Sequence, residues 1–322
     1  MSKLISIRVP AALALGLGLA GAAAAADVTV AVTAIVEHPA LDAVRQGVKD
    51  ELAAQGYQAG DNLDFQFESA QGNPAIAAQI AQKFVGEAPD VIVAISTPSA
   101  QAAAGATKDI PIVFSAVTDP LGAKLVASLE QPGGNITGMT DLSPIGAHLD
   151  LVKEITPEVE RLGVIYNPGE ANSVTLLDLL KQEAPARDIE IVEAAAPRSA
   201  DVQAAAQSLV GEVEAIYVPT DNTVVTALEA IVGVGVNNQL PVYAGDTDSV
   251  PRGAMAALGF DYYDVGIQTG KIVARVLGGE DPGAIPVQSI ETTELHVNPG
   301  AAERMGVTLP DEVLARAETV VE

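Results

Sequence analysis

The sequence predicts an α/β protein of two similar lobes, each a parallel sheet with helices on both faces, and three observations carry the prediction. Short β-branched runs alternate with apolar stripes of period 3.6, the alternation restarts near the middle of the chain, and the strand ends are polar where the strands are not. A run of βα units builds a parallel sheet. At 322 residues and 48% hydrophobic content, the chain is long enough for two ordinary cores.

The elements follow in order. VTVAVTAIV (28 to 36) reads as a buried strand, and Leu41, Val44, Val48 and Leu52 form one helical stripe stopped by Gly56. FQFES (65 to 69) is the next strand, Pro74 opens a helix with Ile76, Ile80 and Phe84 on one face, and VIVAIS (91 to 96) is the third strand. A short helix and IVFSAV (112 to 117) complete the first series. LGVIYNP (162 to 168), a helix through Leu176 to Leu180, IEIVEA (189 to 194), a helix with Val202, Leu209 and Val213, and EAIYVPTDN (214 to 222) begin it again. DVIVAISTPSAQ and IPIVFSAVTD lie over EAIYVPTDNTVV and LPVYAGDTD in order, which marks a structural repeat.

The border falls near the Gly/Pro-rich QPGGNITGMTDLSP (131 to 144), and the helical YYDVGIQTGKIVARVLGG (262 to 279) returns the chain to the first lobe. Strand VQSIET (287 to 292) and the tail beyond it are expected to cover that lobe too. The division is therefore a signal peptide at 1–26, an N-terminal lobe at 27–142 completed by about 263–322, and a C-terminal lobe at 143–262.

The first 26 residues stand apart because Lys3 and Arg8 precede the apolar ALALGLGLAGA, which ends on Ala24-Ala25-Ala26 before Asp27. That is the pattern of a cleaved secretory signal rather than a membrane anchor. GLGLAG inside it matches a dinucleotide fingerprint only formally, with no strand before it and no helix at a phosphate after it. With no cysteine, a disulfide frame, a thiol nucleophile, a thiolate metal site and a lipid-carrying cysteine are all excluded. The expected location is the periplasm, free of a lipid anchor. Loss of Lys3 and Arg8 moves the net charge from -25 to -27, which repels phosphate backbones, so no nucleic-acid partner is expected.

Ligands of open parallel sheets bind outside the carboxyl ends of the strands. Those ends carry His38; Ser96, Thr97 and Ser99; Thr118 and Asp119; Glu170, Asn172 and Ser173; Asp221 and Asn222; and Asp246. Hydroxyls at a helix start suit an anion, with ordinary N-capping as their alternative. Asp221 and Asp246 on the opposite lobe suit an ammonium group, though Asp221 also heads a helix and has the same alternative. Anion donors facing carboxylates describe a zwitterion site, which an α-amino acid fits. The absence of tryptophan argues against a sugar. Tyr166, Tyr217, Tyr243, Phe260, Tyr262 and Tyr263 gather near the second lobe and the crossover; most should be core, and some could meet a ligand side chain.

Enzyme motifs are missing: no G-x-S-x-G, no G-x-x-x-x-G-K-[ST] and no H-E-x-x-H occurs. Of three histidines only His38 lies at a strand end, and no nucleophile pairs with it. The pair Asp246 and Asp248 has no further ligands near it in sequence, so neither a metal nor a cofactor is expected.

EHPALDAVRQGVKDEL, DVIVAISTPSAQAAA, PIVFSAVTDPLGAKLV, PGGNITGM, VPTDNTVV, PVYAGD and VNPGAAERMGVTLPDEVLARA resemble, in order along the chain, substrate-binding proteins of ABC transporters, in the branch with tryptophan-binding and other aromatic amino-acid-binding members. The resemblance implies the type I periplasmic binding protein architecture: two Rossmann-like lobes, three crossovers and a ligand cleft closed by hinge motion. It places Ser96, Thr97 and Ser99 at the ligand carboxylate and Asp221 and Asp246 opposite. It also implies an inner-membrane ABC permease as partner, a small-molecule ligand, most simply an amino acid, and a monomer. Many family members carry an anchoring cysteine that this chain lacks. Two other functions stay open on the sequence: a ligand-sensing partner of a membrane receptor or kinase, and an exported hydrolase using His38.

Overall fold

β-branched side chains lose χ1 freedom in a helix but fit a pleated sheet, and the Val/Ile runs become the strands. The computed structural model describes residues 28–290 and 292–321, so the expected signal peptide at 1–26 lies outside the described residues. The first half forms β1 (Val28–Ala34), α1 (Pro39–Ala54), β2 (Leu63–Ser69), α2 (Pro74–Glu87), β3 (Val91–Ile95), α3 (Thr97–Ala106), β4 (Ile112–Ser115) and β5 (Ile136–Thr140). Proline stands in the first turn of α1, α2 and α3, where its missing N–H leaves no gap. The Asn73 side chain caps α2 by accepting from the N–H groups of Ala75 and Ile76.

The second half forms α4 (Ile145–Ile155), β6 (Arg161–Tyr166), α5 (Ala171–Glu183), β7 (Glu190–Ala195), α6 (Val202–Ser208), β8 (Ala215–Val218), α7 (Asn222–Thr226), α8 (Leu228–Asn238), β9 (Val242–Ala244) and β10 (Ala256–Gly259). The chain ends with α9 (Tyr262–Leu277), β11 (Gln288–Ser289), β12 (Glu294–Val297), α10 (Pro299–Arg304), α11 (Asp311–Arg316) and β13 (Thr319–Val320).

Two sheets result, in the orders β11-β5-β4-β3-β1-β2 and β13-β12-β10-β9-β8-β6-β7. The first is parallel throughout, with Val30 beside Val91 and Val93 beside Val113. The second is parallel except at β10 and β12, where Ala256 opposes Val297 and Gly259 opposes Glu294. Helices cover the sheets and each lobe keeps its own core. The chain passes between the lobes after β5, after β10 and after β11, so the type I two-lobe architecture has its three crossovers.

Two expectations need correction. The Gly/Pro-rich border stretch is not all connection, because Ile136–Thr140 within it is β5, paired with β4 and buried at Ile136 and Met139. The tail does not cover the first lobe: only β11 joins that sheet, while β12 and β13 extend the second. The cause is packing, since Leu295, Val297, Ala301, Ala302, Met305 and Val313 bury against the core of the second lobe.

Helix α9 belongs to the first lobe, where Val265, Ile272 and Val273 enter the core. It lies against α1 at near-backbone distance: a Cβ added to Gly266 would lie 2.2 Å from the Val44 carbonyl oxygen, and one added to Gly47 would lie 2.3 Å from that of Tyr263. A hydrogen bond of 2.6 Å between the buried Ser115 and Thr269 hydroxyls fixes α9 to β4.

Candidate functional site

Strand β3 is buried along its whole length and delivers Ser96 to the start of α3. Ser96 sits at φ 76°, ψ 158°, its N–H donating to the Ser115 carbonyl at 2.9 Å, and Ala116 on the neighbouring strand end has φ 52°. Such backbones cost about 1–3 kcal/mol each and gather at binding sites. The hydroxyls of Ser96, Thr97 and Ser99 are buried without a partner. Ser96 makes no side-chain cap bond to α3. N-capping is therefore not what these three hydroxyls do.

On the second lobe the same residue types are used differently. The Asp221 carboxylate accepts from the N–H of Val224 at 2.9 Å, the N–H of Asn167 at 2.5 Å and the Ser173 hydroxyl. Burial, together with the neighbouring Glu170, raises its pKa well above the carboxylate range. Glu170 in turn accepts from Asn167, Asn172, Asn222 and Thr223. Asp221 and Ser173 thus tie the β6 and β8 ends together.

Between the lobes, outside the carboxyl ends of the strands, lies a pocket. Its walls are His38, Ala40, Leu41, Ser96, Ala116 and Thr118 from one lobe, Asn172, Thr220, Asn222, Val225 and Asp246 from the other, and Asp141 and Tyr262 at the crossovers. Asp141 accepts from the Thr118 hydroxyl at 3.2 Å and the Tyr262 hydroxyl at 2.9 Å, and Asp246 accepts from the Ser249 N–H at 2.9 Å and hydroxyl at 2.7 Å. Burial raises the pKa of both carboxyls. His38, with Nδ1 buried and unpartnered, is held neutral, because burial, aided by Arg252, lowers its pKa to about 3. No lysine or arginine is among the wall residues.

The strand-end residues therefore divide. His38, Ser96, Thr118, Asn172, Asn222 and Asp246 line the cavity, and Thr97 and Ser99 lie buried beside it with free hydroxyls. Asp221, Ser173 and Glu170 are not among the wall residues, and their side chains bond to groups of their own lobe. Asp119 is also absent from the wall, and its carboxylate accepts from the Gly122 N–H at 2.8 Å in a turn. Thr220, at the end of β8, and Tyr262, one of the tyrosines near the crossover, are wall residues too, while Asp141 is one that strand-end reasoning missed. Recognising β5 as a strand would have exposed Asp141, which follows its carboxyl end. Tyr217 and Tyr243 are core, their hydroxyls bonded to His148 at 2.6 Å and Thr156 at 2.9 Å, which leaves Tyr262 as the tyrosine at the cavity.

Asp221→Ala is expected to lower stability by about 3 kcal/mol or more, because it removes a helix cap and strands buried donors. Urea unfolding measures this; an unchanged midpoint together with lost binding would return Asp221 to direct ligand contact.

A family model described as ABC transporter substrate binding protein matches residues 29–321. The chain belongs to this family of substrate-binding proteins. The family is one of solute-binding proteins rather than enzymes, which removes the hydrolase reading of His38. This substrate-binding protein is 43% identical over 269 residues to a tyrosine-binding protein of Clostridioides difficile, covering 84% of this chain and 78% of the relative. It is similar to a crystal structure of a conserved domain protein from Vibrio cholerae, with TM-score 0.90 and 54% identity over 92% of this chain and all of the other. A domain from Streptococcus pneumoniae in complex with L-Trp matches with TM-score 0.89 and 33% identity over the same shares. The ligand-free, open structure of a substrate-binding protein from Clostridium difficile matches at 0.69 despite 37% identity, covering 92% of this chain and 99% of the other. ABC substrate-binding proteins act outside the cytoplasm, and among the described residues no helix is long and apolar enough to cross a membrane.

Proposed function

We propose that this substrate-binding protein captures a zwitterionic amino acid with an apolar or aromatic side chain and delivers it to an inner-membrane ABC permease, working as a monomer in the periplasm. One observation carries the proposal: a pocket between the lobes lined by the unpartnered Ser96 hydroxyl at the start of α3 and by two buried carboxylates, Asp141 and Asp246, with no basic residue in its wall. The ligand carboxylate would meet Ser96 and the first turn of α3, where Thr97 and Ser99 add hydroxyls and the helix start adds free N–H groups. The ammonium would rest between Asp141 and Asp246, and Ala40, Leu41, Val225 and Tyr262 would take the side chain. The tyrosine-binding relative and the neighbour in complex with L-Trp support this ligand class. Closure follows ligand binding because only the closed form brings groups of both lobes to one ligand.

Calorimetric titration of the mature protein against amino acids, sugars and polyamines tests the proposal, since without tryptophan the intrinsic fluorescence reports poorly. One-to-one binding of an apolar or aromatic amino acid is expected; silence to all amino acids would overturn the zwitterion reading. Binding should also weaken as the pH falls. Burial raises the pKa of Asp141 and Asp246, so the ligand-free site takes up protons where an ammonium would keep both carboxylates ionised. Ligand binding then releases protons, and the loss of affinity sets in above the ordinary carboxylate range of about 4. His38, neutral down to about 3, adds no charge in that window.

A further inference from the structure

The second-lobe wall presents side-chain amides whose polarity is set from behind. Glu170 is buried and does not line the cavity. One of its carboxylate oxygens accepts from Thr223 N–H at 3.1 Å, Thr223 Oγ1 at 2.6 Å and Asn167 Nδ2 at 3.3 Å. The other accepts from Asn222 N–H at 3.2 Å, Asn222 Nδ2 at 2.6 Å and Asn172 Nδ2 at 3.4 Å. A carboxylate with this many donors around it accepts only, and it decides which end of each neighbouring amide turns towards it.

We propose that Glu170 is a positioning residue that makes the second-lobe wall an acceptor surface, so that the part of the ligand resting there must be a hydrogen-bond donor; this rests on the amino-acid reading of the site. Asn172 spends its NH₂ on Glu170 and on the Thr220 carbonyl at 3.1 Å. Turning that amide over would set its oxygen against two acceptors. Its Oδ1 is instead left buried and without a partner in a residue that lines the cavity. Asn222 is drawn by the same carboxylate oxygen, so its NH₂ also faces Glu170. Together with the Asp246 carboxylate, these oxygens form a wall that an ammonium group satisfies and a bare hydrocarbon or a carboxylate does not. Glu170 touches no ligand in this arrangement and acts through Asn172 and Asn222.

The test is Glu170→Gln in the full chain, titrated with L-tyrosine and L-tryptophan and with their des-amino counterparts, hydroxyphenylpropionate and indolepropionate. Glutamine keeps the size but brings its own NH₂ towards the two asparagines, so one amide must turn over and present a donor to the cavity. Affinity for the amino acid should fall roughly tenfold or more, while affinity for the des-amino acid stays within about a factor of two. Parallel loss of both would show a merely structural role and overturn the proposal, as would no change in either. A second measurement stays decisive if the des-amino acid binds too weakly to titrate: Glu170→Gln on an Asn172→Ala background should add far less than it does alone. Full additivity there would overturn the proposal. Wild-type silence to both amino acids would instead overturn the reading of the site on which it rests.

Discussion

Asp246→Asn and Asp141→Asn are each expected to weaken amino-acid binding about a hundredfold or more without lowering the stability of the ligand-free protein. Truncating one partner of a buried charge pair typically costs about 2–5 kcal/mol of binding, because the other charge is left unpaired in a dry site. The ligand ammonium would be that other charge. Both carboxyls have their pKa raised by burial, so removing the charge relieves the ligand-free protein of an uncompensated group. Asparagine keeps the shape, and its oxygen can still accept from Ser249 at position 246 or from Tyr262 at position 141. Calorimetry and thermal melts of the ligand-free variants read the two effects separately. Unchanged affinity in both variants would remove these residues from the cation site, and a large fall in melting temperature would make them structural instead.

The second large effect is on the fold. Gly266→Ala should destabilise the protein by about 3 kcal/mol or more, since the new methyl carbon would sit 2.2 Å from the Val44 carbonyl oxygen and 3.0 Å from Gly47 Cα. These are backbone atoms of α1, which cannot turn aside as a side chain could. Either the helices separate or α1 shifts off the sheet, and both expose the Val44 and Val265 contact in the first-lobe core. Ligand affinity should fall as well, because Tyr262, which opens α9, and Leu41 on α1 belong to the cavity wall. Gly86, which has nothing within 4 Å of a built Cβ, is the control: Gly86→Ala should leave the urea midpoint unchanged or raise it. A wild-type midpoint for Gly266→Ala would refute the close-contact argument.

Much of the architecture was legible because burial on both faces of a parallel sheet demands continuous apolar runs such as VIVAI and IVFS. What escaped were elements of a different composition. β5, ITGMT, carries Gly138 because a Cβ there would lie 2.0 Å from the Phe114 carbonyl oxygen, and that glycine made the strand look like connection. β12 is short and pairs antiparallel with β10, so no βα rhythm announces which lobe it serves. At the site, the strand ends located the cavity but could not rank the carboxylates. Asp221 and Asp246 both end a strand and begin a helical turn, and both keep bonds to that turn. Only Asp221 also meets Ser173 and the Asn167 N–H, residues 48 and 54 positions away in the chain, and those long-range partners take it out of the wall. Asp141 and Tyr262 meet each other from opposite crossovers, 121 residues apart, and no local pattern joins them.

The return of α9 to the first lobe bears on the order in which the protein can be made. Vectorial synthesis delivers β1 through β5 early, yet the apolar side of α1 and the sheet beneath it lack Val265, Ile272, Val273 and Ile285 until the whole second lobe has followed. The second sheet is likewise short of β12 and β13 until the last residues emerge. Neither lobe can therefore close its core on a half-made chain, and contacts so distant in sequence form slowly. In a chain of this topology the contacts that complete each core are the last to become available.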